Sequence, residues 1–174
     1  SMVRKPTRKT LDRANQIVES MSDSLVSNGI NLCNQVSKNP RCNSGWSIKL
    51  EKNFSSLYVV GVDDPFYFGY HDIEKAFKHV PENAFKIFLS HTPDLYKQAS
   101  VKGVNCYLCG HTHHGQVQFP LIGPMFLNIG ASRKIGMGEW RYENMTGFTG
   151  PGVGTSGIPV RFNCSPEITV LELK

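Results

Sequence analysis

The chain has 174 residues, 40% hydrophobic and 19% charged, with 19 Lys and Arg against 14 Asp and Glu for a formal net charge of +5. That suits one ordinary domain, or a large part of a bigger one, with enough apolar material for a real core. No apolar run approaches the roughly 18 residues a membrane span needs, no N-terminal signal peptide is legible, and no zinc-finger spacing or aromatic-basic interleaving marks a nucleic-acid binder.

Ser1-Met2 reads as a tag junction, so the natural N-terminus is expected to lie elsewhere and the compartment is not legible. Residues 1–9 are set apart as tag remnant and basic arm. Arg4, Lys5, Arg8, Lys9 and Arg13 read as a solvated arm; attraction to a phosphate-bearing partner is the sharper alternative. Residues 11–28 follow a 3.6-residue period through Leu11, Ala14, Ile17, Val18, Met21, Leu25 and Val26, with Thr10 as N-cap and Gly29 past the end: an amphipathic helix. A turn-rich stretch precedes two strands, 46–50 and 56–62. The second ("SLYVVGV") is an apolar run and is expected to be buried on both faces. Asp72 caps a short helix with Ile73, Ala76, Phe77 and Val80 on one side. "AFKIFLS" is the next strand, and Pro93 opens a helix running to about 101. "VNCYLCG" is another strand. Short strands are expected at 116–119, 125–129, 140–146, 158–163 and 168–173, with 136–157 as the loosest region. The order predicts an α/β protein with a mixed sheet.

Five cysteines make an odd count: Cys33, Cys42, Cys106, Cys109 and Cys164. Cys106-Tyr-Leu-Cys109 has CxxC spacing, but strand alternation sends its two thiols to opposite faces, and no second pair follows. Buried reduced thiols are expected. The sequons at Asn53, Asn144 and Asn163 do not establish secretion.

"LCGHTHHGQ" (108–116) sets three of the six histidines behind a glycine. His91 and His111 each follow a buried strand, and in open α/β sheets the residues just past strand ends line the binding crevice. In extended backbone, His111 and His113 face one side and can serve one metal or two neighbouring ones. Imidazole suits zinc, manganese or iron. His71 and His79 read as surface residues. A hydrolytic two-metal centre also needs carboxylates. Asp63-Asp64 and Asp94 are within reach of strand ends, but neither forms an obvious ligand pattern.

"SHTPD" (90–94) followed by "CGHTHHGQ" (109–116) resembles the last two metal-binding motifs of the calcineurin-like metallophosphoesterases. "GVDDP" (61–65), "PLIGP" (120–124) and "GVGTSGIPVRFNCSPEI" (152–168) are similar to the branch of membrane-associated bacterial-type phosphoesterases and related eukaryotic transmembrane proteins. The resemblance implies the C-terminal portion of a four-layer α/β/β/α sandwich over residues 10–174, with a dinuclear metal centre between two sheets. His91 resembles the lone histidine on the second metal, His111 the other histidine on that metal, and His113 a ligand of the first. The family's Asp-x-His, Gly-Asp-x-x-Asp and Gly-Asn-His-Asp motifs are absent from this chain. His114 stands where the branch usually has glycine; it is expected at the loop surface, with a contact to substrate phosphate as the alternative.

The resemblance therefore implies a metal-dependent phosphoesterase that hydrolyses a phosphate ester, tilted toward lipid-linked ones, by metal-activated water. Two divalent ions (Mn, Zn or Fe) belong to the complete domain and at most one to this chain, which is expected to be weakly active or inactive alone. A non-catalytic phosphate-binding or protein-interaction module is the alternative. No nucleic-acid partner is expected. An uncovered sheet face is expected to drive self-association or domain swapping.

Overall fold

A computed structural model describes residues 45–52, 55–66, 69, 71–124 and 126–170. They belong almost entirely to a unit spanning Ser44–Ile168. The other unit, Ser1–Asn43 with Thr169–Lys174, lies nearly all outside the described residues, as does the helix expected at 11–28.

Six strands form one mixed sheet: β1 (Gly45–Lys52), β2 (Ser55–Val62), β3 (Phe85–Leu89), β4 (Cys106–Cys109), β7 (Gly138–Tyr142) and β8 (Met145–Thr149), in the order β1-β2-β3-β4-β8-β7. β2, β3, β4 and β8 run parallel, and the flanking strands β1 and β7 are antiparallel to their neighbours. β5 (Gln118–Phe119) and β6 (Gly123–Pro124) form a separate small hairpin. The α/β expectation with a mixed sheet is met.

Two crossovers step along the sheet in one direction and lay their helices on one face, as right-handed connections require. α1 (Ile73–Phe77) starts where the Asp72 carboxylate accepts a hydrogen bond from the Lys75 N–H at 2.8 Å. The helix expected from Pro93 splits into a 3-10 turn, Pro93–Leu95, and α2, Tyr96–Val101. These elements bury Ala76, Phe77, Leu95 and Ala99 against Val60, Phe88, Tyr107 and Trp140. Tilted and edge-on aromatic contacts carry the core across the strands: Phe77–Phe88 at 5.7 Å, Phe88–Tyr107 at 5.0 Å and Tyr107–Trp140 at 5.6 Å. Burial pushes the Tyr107 phenol's pKa up, and its hydroxyl donates to the Thr92 carbonyl at 2.7 Å.

Alternation places Ile48, Leu50, Leu57, Val59, Ile87 and Leu89 on the opposite face, where each is half-buried. The described helices contribute their buried residues to the first face. Strand β2 therefore presents apolar side chains both ways, as its run of hydrophobic residues predicts.

The C-terminal half departs from expectation. The pattern at 140–146 is two strands, joined at Glu143-Asn144, with Glu143 in the left-handed region at φ 51°. Residues 136–157, expected to be loosest, hold β7 and the interior strand β8, whose Met145, Gly147, Phe148 and Thr149 are buried. Gly147 is a packing site, since a Cβ there would lie 2.2 Å from the Trp140 ring. Among the described residues, 126–129 and 158–163 form no strand; one bridge, Val117 to Phe162, is all that pairs. Residues 168–170 are likewise irregular.

Candidate metal centre

Because β2, β3, β4 and β8 are parallel, their C-terminal ends share one edge of the sheet. The loops leaving that edge carry Asp64, His91, His111 and residues 150–154. Sequence order thus brings together side chains from four separate segments.

His91 and His111 meet there. His111 Nδ1 lies 3.0 Å from His91 Nε2, and the rings stand edge to face at 4.9 Å. His111 Nε2 lies 2.8 Å from the Asn128 carbonyl, which can only accept, so that nitrogen carries the proton and Nδ1 presents its lone pair toward His91. A backbone carbonyl holding the far nitrogen is the usual way a metal-ligating imidazole is oriented. Phe66 packs on His111 with centroids 4.7 Å apart. Asp64 Oδ2 is 3.9 Å from His91 Nε2.

Two imidazole nitrogens on one tetrahedral zinc stand roughly 3.3 Å apart. The His91–His111 spacing fits that requirement with little movement. The donor set stops there. Among the described residues no group of three or more His, Cys, Asp or Glu is arranged to hold a metal ion. The described residues bring two imidazoles together at this edge, and no third donor.

His113 is not brought to that pair. The chain does not run extended through the motif: His111, His113, His114 and Gln116 have φ of 68°, 47°, 51° and 54°. A 3-10 turn, His113–Gly115, replaces the strand geometry that would have put His111 and His113 side by side. The His113 ring instead meets the glycine-rich loop, where Arg161 Nη2 donates to its Nδ1 at 3.3 Å. Arg161 also donates to the carbonyls of Pro151 at 2.7 Å and of Gly152 and Gly154, while Cys164 Sγ contacts the His113 carbonyl at 3.2 Å. Burial first, then the Arg161 charge, lowers the His113 pKa and keeps the ring neutral.

His114 is half-buried, which corrects the expected surface position. Its Nε2 lies 2.7 Å from the Thr149 carbonyl and 3.2 Å from the Gly138 N–H. The carbonyl can only accept, so Nε2 is protonated, and the Gly138 N–H abuts it without a lone pair to meet. The same core edge contains Cys109, whose thiol is pushed up to about 12 by burial and contacts Thr149 Oγ1 at 3.2 Å. Cys106, Cys109 and Cys164 are free thiols, as expected; Cys33 and Cys42 lie outside the described residues.

Sequence reasoning weighed Asp64 without finding its histidine partner, and it missed Asn128 and Arg161. Arg161 lies within the longest family-like stretch, and that was its one signal. Asn128 acts through its backbone, for which no sequence signal exists.

A mixed sheet whose parallel strands bring two histidines together at their carboxyl edge defines an α/β protein with a candidate site there. Comparison with known proteins makes this specific. The chain is 32% identical over 120 residues to a Bacillus subtilis protein named uncharacterized metallophosphoesterase YkuE, covering 69% of this chain and 41% of the relative. It is 36% identical over 92 residues to phosphodiesterase YaeI of Escherichia coli, covering 52% and 33%. It is 36% identical over 106 residues to a Danio rerio transmembrane protein with metallophosphoesterase domain, covering 59% and 23%. No family model and no solved structure matches. These relatives, named metallophosphoesterase or phosphodiesterase, support assignment to the calcineurin-like metallophosphoesterase superfamily at modest identity. The chain spans less than half the length of each of them.

Proposed function

We propose that residues 10–174 form the histidine-bearing C-terminal portion of a metal-dependent phosphoesterase domain that hydrolyses phosphomonoesters or phosphodiesters, with lipid-linked phosphates as the favoured class. The observation that carries this reading is the His91–His111 pair, 3.0 Å apart at the carboxyl edge of the parallel strands, in a chain whose relatives include proteins named metallophosphoesterase and phosphodiesterase. The apolar outward side of β1, β2 and β3 supports a second sheet packing there in the whole protein, giving the four-layer sandwich.

His91 and His111 would hold a divalent ion (Zn, Mn or Fe), with Asp64 beside them as the nearest described carboxylate. Such an ion, when bound, supplies Lewis-acid polarisation of a phosphate oxygen and lowers the pKa of a coordinated water. The Asn128 carbonyl fixes the His111 ring and its tautomer. Phe66 shields one side of that ring from solvent. Arg161 ties residues 151–154 to the His113 turn and so sets the rim of the site. His113, carried into place when the remaining donors are supplied, is the further ligand by resemblance; His114 braces the turn from inside, with a contact to substrate as the second role.

A direct test is hydrolysis of bis(4-nitrophenyl) phosphate with added Mn or Zn. It would compare this chain with one extended by the family's upstream carboxylate motifs. The reading expects activity only in the extended protein, and a loss of about a hundredfold or more on His111→Ala, as for removal of one strong electrostatic contribution. An extended protein with folded structure and bound metal but no phosphoesterase activity would favour the non-catalytic phosphate-binding or interaction module instead.

A further inference from the structure

The β5–β6 hairpin is built unlike a solvent-facing turn. Its tip is Pro120-Leu121-Ile122, with Leu121 fully exposed at 109% and Ile122 at 77%. Leu121 sits in the left-handed region at φ 69°, where a branched side chain is disfavoured and Gly, Asn or Asp would fold more easily. Folding alone therefore gives no reason for a leucine and an isoleucine there. Phe126 is exposed at 75%, and the Phe119–Phe162 pair, 6.0 Å apart, is partly exposed. Several large exposed apolar side chains on one short segment mark a candidate interaction site.

The charged side chains nearest it in sequence are of one sign. Arg133 donates to the Pro124 carbonyl at the end of β6, and Lys134 is exposed beside it. Residues 110–138 contain no Asp or Glu. An exposed aliphatic tip with exposed aromatic rings and cations on nearby residues is the composition of a membrane-interface anchor. A protein partner would need a pocket around a convex tip and an acidic rim to match, whereas an anionic bilayer supplies both hydrocarbon and negative charge.

We infer that the β5–β6 hairpin seats on an anionic phospholipid surface, Leu121 and Ile122 entering the acyl boundary while Arg133 and Lys134 meet the headgroups. The hairpin packs on the 111–116 turn through Pro124 and Phe126, and the vesicle readout does not require phosphoesterase activity.

Vesicle sedimentation of the full chain tests it, with vesicles of equal parts phosphatidylglycerol and phosphatidylcholine against phosphatidylcholine alone. The chain should sediment with the anionic vesicles. Leu121→Asp/Ile122→Asp should weaken partition by about tenfold or more, and Lys134→Glu by about fivefold. A Leu121→Trp variant should show an emission blue shift on adding anionic vesicles, a readout that needs no loss of function. The inference is overturned by no partition of the parent chain, by no preference for anionic vesicles, or by equal partition of the double Asp variant. It is also overturned if that variant only abolishes a dimer in sedimentation velocity, which would assign the tip to a second copy.

Discussion

At the residue scale, the histidine motif is held by backbone shape. Between residues 111 and 116 every residue but Thr112 has a positive φ, and only one of those five is glycine. Each non-glycine residue so placed costs roughly 1 to 2 kcal/mol, and such clusters persist at functional sites. Gly115 is the position that admits no alternative. Its φ is 74°, and a Cβ would lie 2.6 Å from both the Phe126 carbonyl and the Pro124 Cβ. Gly115→Ala should therefore cost about 2 to 4 kcal/mol of stability from the backbone and the clash together, read by chemical denaturation. A loss below about 0.5 kcal/mol, the range of a neutral surface change, would mean that the turn is not packed as described.

At the element scale, β8 is the centre of the account. It lies between β4 and β7, and its Thr149 hydroxyl joins three elements: it accepts from Trp140 Nε1 at 2.9 Å and donates to the Ile135 carbonyl at 2.6 Å. Gly147 leaves space for the Trp140 ring, so Gly147→Ala should displace that ring and break its hydrogen bond. The expected loss is about 2 to 3 kcal/mol, with a changed near-ultraviolet tryptophan signal; an unchanged signal would contradict the packing. This element also shows what sequence could convey. β2, β3 and β4 were legible because continuous apolar runs bounded by turn residues have one plausible form in an α/β chain. β8 was not, because a glycine beneath an indole looks like a loop until the indole's position is known. The turn at 111–116 was misread as extended for a related reason: positive φ in histidine and glutamine has no sequence signature. His91 and His111 were found by their places at strand ends. Arg161's hold on His113 depends on a 48-residue separation that no local pattern encodes.

At the scale of the whole molecule, the sheet has two apolar faces and helices on one of them among the described residues. The relatives are more than twice as long as the segment they share with this chain. In the proposed sandwich the second face belongs against another sheet. Purified alone, the chain should self-associate through that face in a concentration-dependent way, visible in multi-angle light scattering. A monodisperse monomer across a tenfold or so concentration range would show that face to be covered already.

In the proposed site His91 and His111 share one cation. Metal content per chain is measured by elemental mass spectrometry after equal exposure to zinc and manganese. Near-stoichiometric metal is expected in the parent chain, at least about a tenfold weaker hold in His91→Ala and His111→Ala, and a smaller loss in His113→Ala, whose ring is engaged by Arg161. Equal metal in the parent and in both the His91→Ala and His111→Ala variants would contradict it, as would negligible metal in all of them.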